Sequence, residues 1–526
     1  MAVHGEPDGT GRAQVARNAA SSYAVRGLLV VSALLLTPYL FRRLGLEGFG
    51  LWSVLFTIWT ILELVETGFA AGIVKRVAEL RGRGDRDELG RTVGVGMTSM
   101  SLLGLATLGA AAAAGWLLAG LAPEGLEDDF RLGMLAIGAG MAVRYPGAAC
   151  AAALKGYQRY DLYNVTQAIV TGGLLVGSVV AVELGAGVGG IGVAFGLSLA
   201  LGGAAAVLLL RLVDPGLPLR PGFDRDARAK LLGFSSFALL ADSMVFVGQR
   251  MDVLVVAAVR NAATAAPYAA ALKLQSGVQA LTLPFVGLLM PMISELWGRQ
   301  ERDEVLRRLI LATRVALQLT LPVAIGIALF ASDIVDLWLG AGAPAVTASI
   351  VVVLMVVQIT ALTTAPAEKV LLGIGRVRLL GGLALFEGVA NVSLSIVLVS
   401  AYGAIGAAFG TLLTTALLTP LRLPLTARAL DASVASILRR SVVPAALASA
   451  PALAAMVAVR LTLEEGAWRA ALGLALGVGL AAAVGLRQLA AAGELGRVRA
   501  SLRRTGEGER AVASDVPGEI SPVIRP

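Results

Sequence analysis

Arg26, Glu63, Glu66, Arg144, Asp242, Arg250, Asp252, Lys273 and Glu387 all fall in stretches otherwise too apolar to solvate a charge. An ionised side chain at the centre of a bilayer costs about 2.5–3.5 kcal/mol on insertion scales, so such groups face protein or a wet cavity. The chemistry open to them is ion pairing, proton exchange or the binding of a charged ligand. Glu63 and Glu66 stand one helical turn apart and share a face with Trp59 and Thr67. Two carboxylates that close in a low-dielectric setting resist being ionised together, which makes them candidates to carry a coupling proton or sodium ion. The plain alternative is a helix-end cap. Asp242 and Glu387 compete for the same role. Arg144, Arg250 and Lys273 offer positive charge to an anionic ligand, with Gln275 and Gln279 on the same segment as Lys273. Arg26 either joins them or snorkels to the membrane surface. Arg250 and Asp252 fit equally well as polar groups that pair neighbouring helices.

Other chemistries are excluded by what the chain lacks. His4 is the only histidine and Cys150 the only cysteine, so a His/Cys metal site and a histidine-based triad are ruled out. No intrachain disulfide can form. No GxxxxGK[ST] phosphate loop occurs, so the chain is not itself an ATPase, and no cofactor is implied.

The elements that must position these groups are membrane helices. Of 526 residues 57% are hydrophobic and 15% charged, with mean hydropathy +0.78, well outside the soluble range. The uncharged runs Thr92–Pro123 and Leu337–Ala367 each exceed the roughly 20 residues needed to span hydrocarbon. The pattern predicts helices at about 19–41, 49–74, 92–120, 131–153, 162–182 and 189–211. A second set follows at about 231–258, 265–292, 307–331, 345–367, 378–400 and 403–424, then two more near 442–460 and 468–489. The expected fold is therefore an all-α polytopic membrane protein of about 14 transmembrane helices. Residues 1–18 read as a polar tail without a cleavable signal, and 213–229 as a linker rich in proline and charge. Residues 425–490 read as an amphipathic connector with the last helix pair, and 491–526 as a disordered tail.

Two charged words repeat. ELRGRGDRDELGR at 79–91 returns as ELWGRQERDEVLR at 295–307, an offset of 216; Leu154-x-Gly156-x-x-Arg159 returns as Leu371-x-Gly373-x-x-Arg376, an offset of 217. A duplicated unit of that size predicts two six-helix lobes, 19–212 and 230–424. Six helices per repeat is an even number, so both lobes insert alike and the pseudo-twofold axis follows the membrane normal. Arg81, Arg83, Arg86, Lys155, Arg299, Arg302, Lys369, Arg376, Arg439 and Arg440 lie in alternate loops, whereas the remaining loops are short and poor in bases. Positive-inside bias places the basic set and both termini in the cytoplasm, which explains the +8 net charge without nucleic acid. Arg42 and Arg43 are the exception, falling outside.

Tyr39–Trp52 with its Gly45, Gly48 and Gly50, Glu66-Thr-Gly68, the stretch LKGYQRYDLYN at 154–164 and DIVDLWLG at 333–340 together resemble bacterial polysaccharide flippases. That family belongs to the superfamily that includes multidrug exporters. The resemblance covers about residues 19–424. It implies a V-shaped cleft lined by helices 1, 2, 7 and 8, and a flippase that translocates a polyprenyl-diphosphate-linked oligosaccharide by alternating access. It also implies a cytoplasmic-membrane location and neighbouring glycosyltransferases and a polysaccharide polymerase. A lipid II flippase and an ion-coupled drug exporter are relatives within the superfamily; an exporter's cleft should be net acidic, against Arg144, Arg250 and Lys273. A polytopic glycan polymerase or ligase needs a large outer loop with catalytic groups, and the outer loops here are short.

Overall fold

The structure is a computed structural model that describes residues 9–219, 222–224 and 251–491. Among those residues every regular element is helical. The first, α1 (Gly9–Arg83), is 75 residues long and broken at Gly45, whose φ of 69° and ψ of −172° lie outside the helical region. That left-handed φ is open to glycine at little cost, and it divides α1 into two arms where two helices are expected. Then come α2 (Arg86–Leu117), α3 (Glu127–Gly156), α4 (Tyr160–Glu183) and α5 (Gly187–Val213). Residues 251–259 are helical, followed by α6 (Ala262–Gly287), α7 (Leu289–Gly298), α8 (Arg302–Leu329), α9 (Ala331–Leu339) and α10 (Val346–Gly373). The chain continues through α11 (Val377–Tyr402), α12 (Ala404–Leu418), α13 (Arg422–Ala429), α14 (Val434–Thr462) and α15 (Ala467–Ala491).

Ten described helices are long and apolar enough to cross a membrane, or eleven when the pair Ala262–Thr282 and Phe285–Gly298, bent by 49°, is taken as one span. The expected fourteen are not reached among the described residues, for identifiable reasons. Both arms of α1 fall in one element, and most of the helix expected at 231–258 lies outside the described residues. Arg144, Tyr145 and Pro146 lower the hydropathy of α3, yet much of its length is buried. It earns that place by glycine packing. A Cβ on Gly140 or Gly147 would strike the backbone of Gly196 or Gly203 on α5, so these small faces let the two helices meet backbone to backbone. The helix expected at 403–424 is α12, a 3-10 turn and the short α13.

The offset seen in the charged words also separates helix starts. Arg86 and Arg302 open α2 and α8, Tyr160 and Val377 open α4 and α11, and Gly187 and Ala404 open α5 and α12. Left-handed residues keep the same spacing: Gly84 and Gln300, Gln158 and Gly375, Gly187 and Gly403.

One end of the bundle gathers the basic loops. Arg86 pairs with Asp214, and the Tyr157 hydroxyl donates to Asp214 at 2.8 Å, tying the α1–α2 and α3–α4 connections to the start of the linker. Burial, reinforced by that carboxylate, pushes the Tyr157 phenol above its ordinary range, so it remains a donor. At the other end stand the two arginines that broke the charge pattern. Arg43 pairs with Glu183 on α4 at 2.5 Å. Arg42 donates to the carbonyls of Leu337, Trp338 and Leu339 at 3.0–3.1 Å. Those are the last carbonyls of α9, which have no partner within their own helix and favour a cation. The Trp338 indole returns a bond to the Leu34 carbonyl at 2.8 Å. The α9 N-terminal half is held too: Asp333, almost fully buried, takes a two-pronged ion pair from Arg469 of α15 at 2.8–3.0 Å. The DIVDLWLG word is therefore a clamp that joins α1, α9 and α15.

Candidate functional site

A cavity of about 210 Å³ opens between the two arms of α1, α4 and α6. Its wall carries an aromatic ledge. Trp59 meets Phe195 edge-on at 4.7 Å and Phe56 at 4.9 Å, and Trp52 lies 5.7 Å from Phe56. Hydroxyls of Ser32, Thr37, Ser53, Thr57, Thr60 and Thr171 line the remainder. On two of the lining residues one polar atom, the Trp59 indole N–H and the Ser32 hydroxyl, is buried without a hydrogen-bond partner. Such orphans are rare in folded proteins and mark a place where a ligand or water completes the set. Lys273 lines this cavity, its ammonium 4.5 Å from the Phe56 ring centre. Phe56 is also the residue 217 positions before Lys273. An axis relating the two lobes would pass between residues so paired.

A second cavity, of about 300 Å³, lies within the first lobe between α1, α3, α4 and α5. Arg144 projects into it and pairs with Glu63 at 2.9 Å and Glu66 at 3.3 Å. The sequence does not foresee this triad, because α3 and α1 stand about 80 residues apart at these positions. Local packing fixes it. The Tyr145 hydroxyl donates to the Leu62 carbonyl at 3.1 Å. Gly203 on α5 lets the Arg144 backbone come so close that a Cβ there would stand 2.5 Å from the Arg144 Cα. Two carboxylates share one guanidinium, so the triad holds one negative charge in excess. Lys155, on the same wall, sits 3.7 Å from the Tyr163 ring centre, and Gln167 donates to the Tyr163 hydroxyl at 2.7 Å.

The sequence candidates thus separate. Lys273 lines the interlobe cavity. Arg144 does not line that cavity: it pairs with two glutamates in the intralobe cavity. Gln275, Gln279 and Arg26 line neither cavity, and Arg26 is exposed on α1. Arg250 and Asp242 lie outside the described residues. Glu387 is bonded to Arg422 at 2.7 Å, and Arg422 also reaches Glu368 at 3.5 Å. This second arrangement of two carboxylates around one arginine was not foreseen. Asp252, fully buried, accepts from Tyr268 at 2.7 Å, Ser395 at 3.0 Å and Thr411 at 2.7 Å. All three donors are neutral, and the nearby Asn391 side-chain oxygen is a buried orphan. Among the described residues no group of three or more His, Cys, Asp or Glu is placed to hold a metal ion.

Ten or eleven helices long and apolar enough to cross a membrane make this a multi-pass membrane fold. The lipid II flippase MurJ in an inward closed conformation matches with TM-score 0.69 and 13% identity, over 90% of this chain and 98% of that one. A multidrug resistance MATE family transporter of the MOP superfamily, in its inward-facing conformation, matches with TM-score 0.65 and 15% identity, over 77% of this chain and 94% of that one. An outward-facing conformation of such a transporter matches with TM-score 0.55 and 16% identity, over 80% and 95%. Residues 156–342 match the family model described as polysaccharide biosynthesis protein. No curated protein matches by sequence. The resemblance drawn from the sequence words agrees with these findings: part of the chain matches a polysaccharide-biosynthesis family model, and the fold is shared with lipid II flippase and MATE transporter structures.

Proposed function

We propose that the protein flips a polyprenyl-diphosphate-linked oligosaccharide across the cytoplasmic membrane, with its termini on the cytoplasmic side, by alternating access of the two lobes. The observation that carries this reading is the chemistry of the interlobe cavity. Lys273 offers charge to a diphosphate, the aromatic ledge offers flat faces to sugar rings, and the orphaned Trp59 N–H and Ser32 hydroxyl offer hydrogen bonds. No carboxylate lines it among the described residues, which disfavours export of cationic drugs. A volume of about 210 Å³ falls below the usual range for a drug-sized ligand. The lobes must therefore part to admit an oligosaccharide.

Coupling is assigned to the intralobe triad. Two carboxylates share Arg144, with Lys155 on the same wall to offset the remaining negative charge in part, so one carboxylate can take up and release a proton without leaving the arginine unpaired. Asp252 supports a second reading, since none of its three hydrogen-bond donors carries a charge. A photo-crosslinking residue in place of Thr60, on the cavity wall, tests the substrate. It should capture lipid-linked oligosaccharide from membranes, and Lys273→Gln in the same protein should weaken the capture. Capture of cationic drugs in its place would support the exporter reading and overturn this one.

A further inference from the structure

Arg314 takes no part in either cavity. It stands on α8 twelve residues beyond the first, Arg302, and its guanidinium donates to the Gln488 side-chain oxygen of α15 at 2.9 Å. Gln318, one turn on, donates to the same oxygen at 3.0 Å. The Arg314 Nε–H is buried with no acceptor, and no carboxylate pairs with Arg314 among the described residues. One neutral amide oxygen leaves the positive charge uncompensated among the described residues. Docking of α15 on α8 does not require that charge, because Gln318 already supplies a donor to Gln488. At the matching positions of α2, 216 and 217 residues earlier, stand Thr98 and Met97.

The surroundings indicate what compensates it. Leu317 packs with Ala445 of α14 in one cluster, so Arg439 and Arg440 border the seam at about the level of Arg314. Both are exposed, as is Arg487 beside Gln488, and none of the three forms an ion pair with the described residues. Toward the membrane centre from Arg439 and Arg440, Val443 and Leu447 are exposed apolar side chains. A cationic rim above an apolar strip matches a phosphate carried on acyl chains. Arginine suits phosphate through its planar fork of donors, and basic pockets between transmembrane helices hold anionic lipid headgroups.

We infer that the seam of α8, α14 and α15 binds an anionic membrane phospholipid, the Arg314 Nε–H and the flanking arginines donating to its phosphate. The site is distinct from the transport cavity and independent of the proposed substrate. The test uses the purified full chain and native mass spectrometry, titrated separately with phosphatidylglycerol, phosphatidylcholine and polyprenyl diphosphate. Wild type should retain one phosphatidylglycerol. Arg314→Gln, whose amide can still donate to Gln488, should bind it about tenfold or more weakly, a difference of roughly 1.4 kcal/mol, with unchanged thermal stability. Equal retention by Arg314→Gln and wild type would overturn the inference and leave a docking contact. Equal retention of phosphatidylcholine would overturn it by removing the charge requirement, and preferential retention of polyprenyl diphosphate would overturn it in favour of the transport substrate. Should Arg314→Gln fold poorly, the exposed triple variant Arg439→Gln, Arg440→Gln, Arg487→Gln gives the second reading. A several-fold loss of phosphatidylglycerol is expected, and no loss would refute the site.

Discussion

Replacing Arg42 with alanine should unlatch the end of the bundle opposite the basic loops. Its three bonds to the terminal carbonyls of α9 cross from α1 to an element 295 and more residues away, and they join the two lobes. Charge-assisted hydrogen bonds contribute roughly 1.5–3 kcal/mol each when shielded. Arg42 is exposed, and solvent discounts such contacts heavily, so about 1–2 kcal/mol for the set is the appropriate scale. A shift of that size changes the ratio of closed to open forms by a factor of about 5–30. The assay is labelling of Thr37→Cys, on the wall of the interlobe cavity, by a membrane-impermeant maleimide applied from that side. Cys150 is the only native thiol and is buried. Arg42→Ala should accelerate labelling by about 5–30-fold. Arg43→Ala is the control, because its partner Glu183 lies in the same lobe and its loss should leave the rate unchanged. Equal rates for Arg42→Ala and wild type, or equal acceleration by Arg43→Ala, would refute the latch.

Three further outcomes follow from the buried charges. Arg144→Gln strands two glutamates in the intralobe cavity, and breaking a buried pair on one side costs about 3–5 kcal/mol. Membrane abundance should fall, and Glu63→Gln with Glu66→Gln in the same chain should restore it. Neutralising Glu63 or Glu66 alone should weaken the dependence of flipping on an imposed proton gradient in reconstituted vesicles; unchanged dependence in both variants moves the role to Asp252, Asp242, Glu387 or sodium. Arg469→Gln leaves Asp333 buried without its partner and should lower the unfolding temperature of the purified protein, with Asp333→Asn recovering part of the loss.

The sequence was most legible where charge meets helix ends. The 79–91 and 295–307 words mark the loops before α2 and α8, and the offset they set recurs in helix starts and left-handed caps. Hydrophobic runs located most spans, α3 at 131–153 among them, but not the glycine faces by which α3 meets α5 backbone to backbone. The short α7 only overlaps the end of the helix expected at 265–292, and α9 falls in the stretch between 307–331 and 345–367, where a loop is expected. Of the site, Lys273 was readable because a cation on an otherwise apolar segment must face protein or a wet cavity. The partners of Arg144 were not, since pairing across helices depends on which faces meet. Trp59 passed as an ordinary aromatic, and its unpartnered N–H is a property of the packed cavity alone. Arg314 and Arg469 were passed over near the ends of their helices, where a long side chain is commonly assumed to reach water.

The most direct test of the account is flipping itself. The purified protein would be reconstituted into vesicles with a fluorescent polyprenyl-diphosphate-linked oligosaccharide. Exposure of the glycan in the outer leaflet would then be followed with an impermeant glycosidase. Cleavage beyond the half initially exposed, abolished in Lys273→Gln but retained in Arg26→Gln, is the predicted result. Cleavage that stops at the exposed half, while the same vesicles transport a cationic drug, would contradict it.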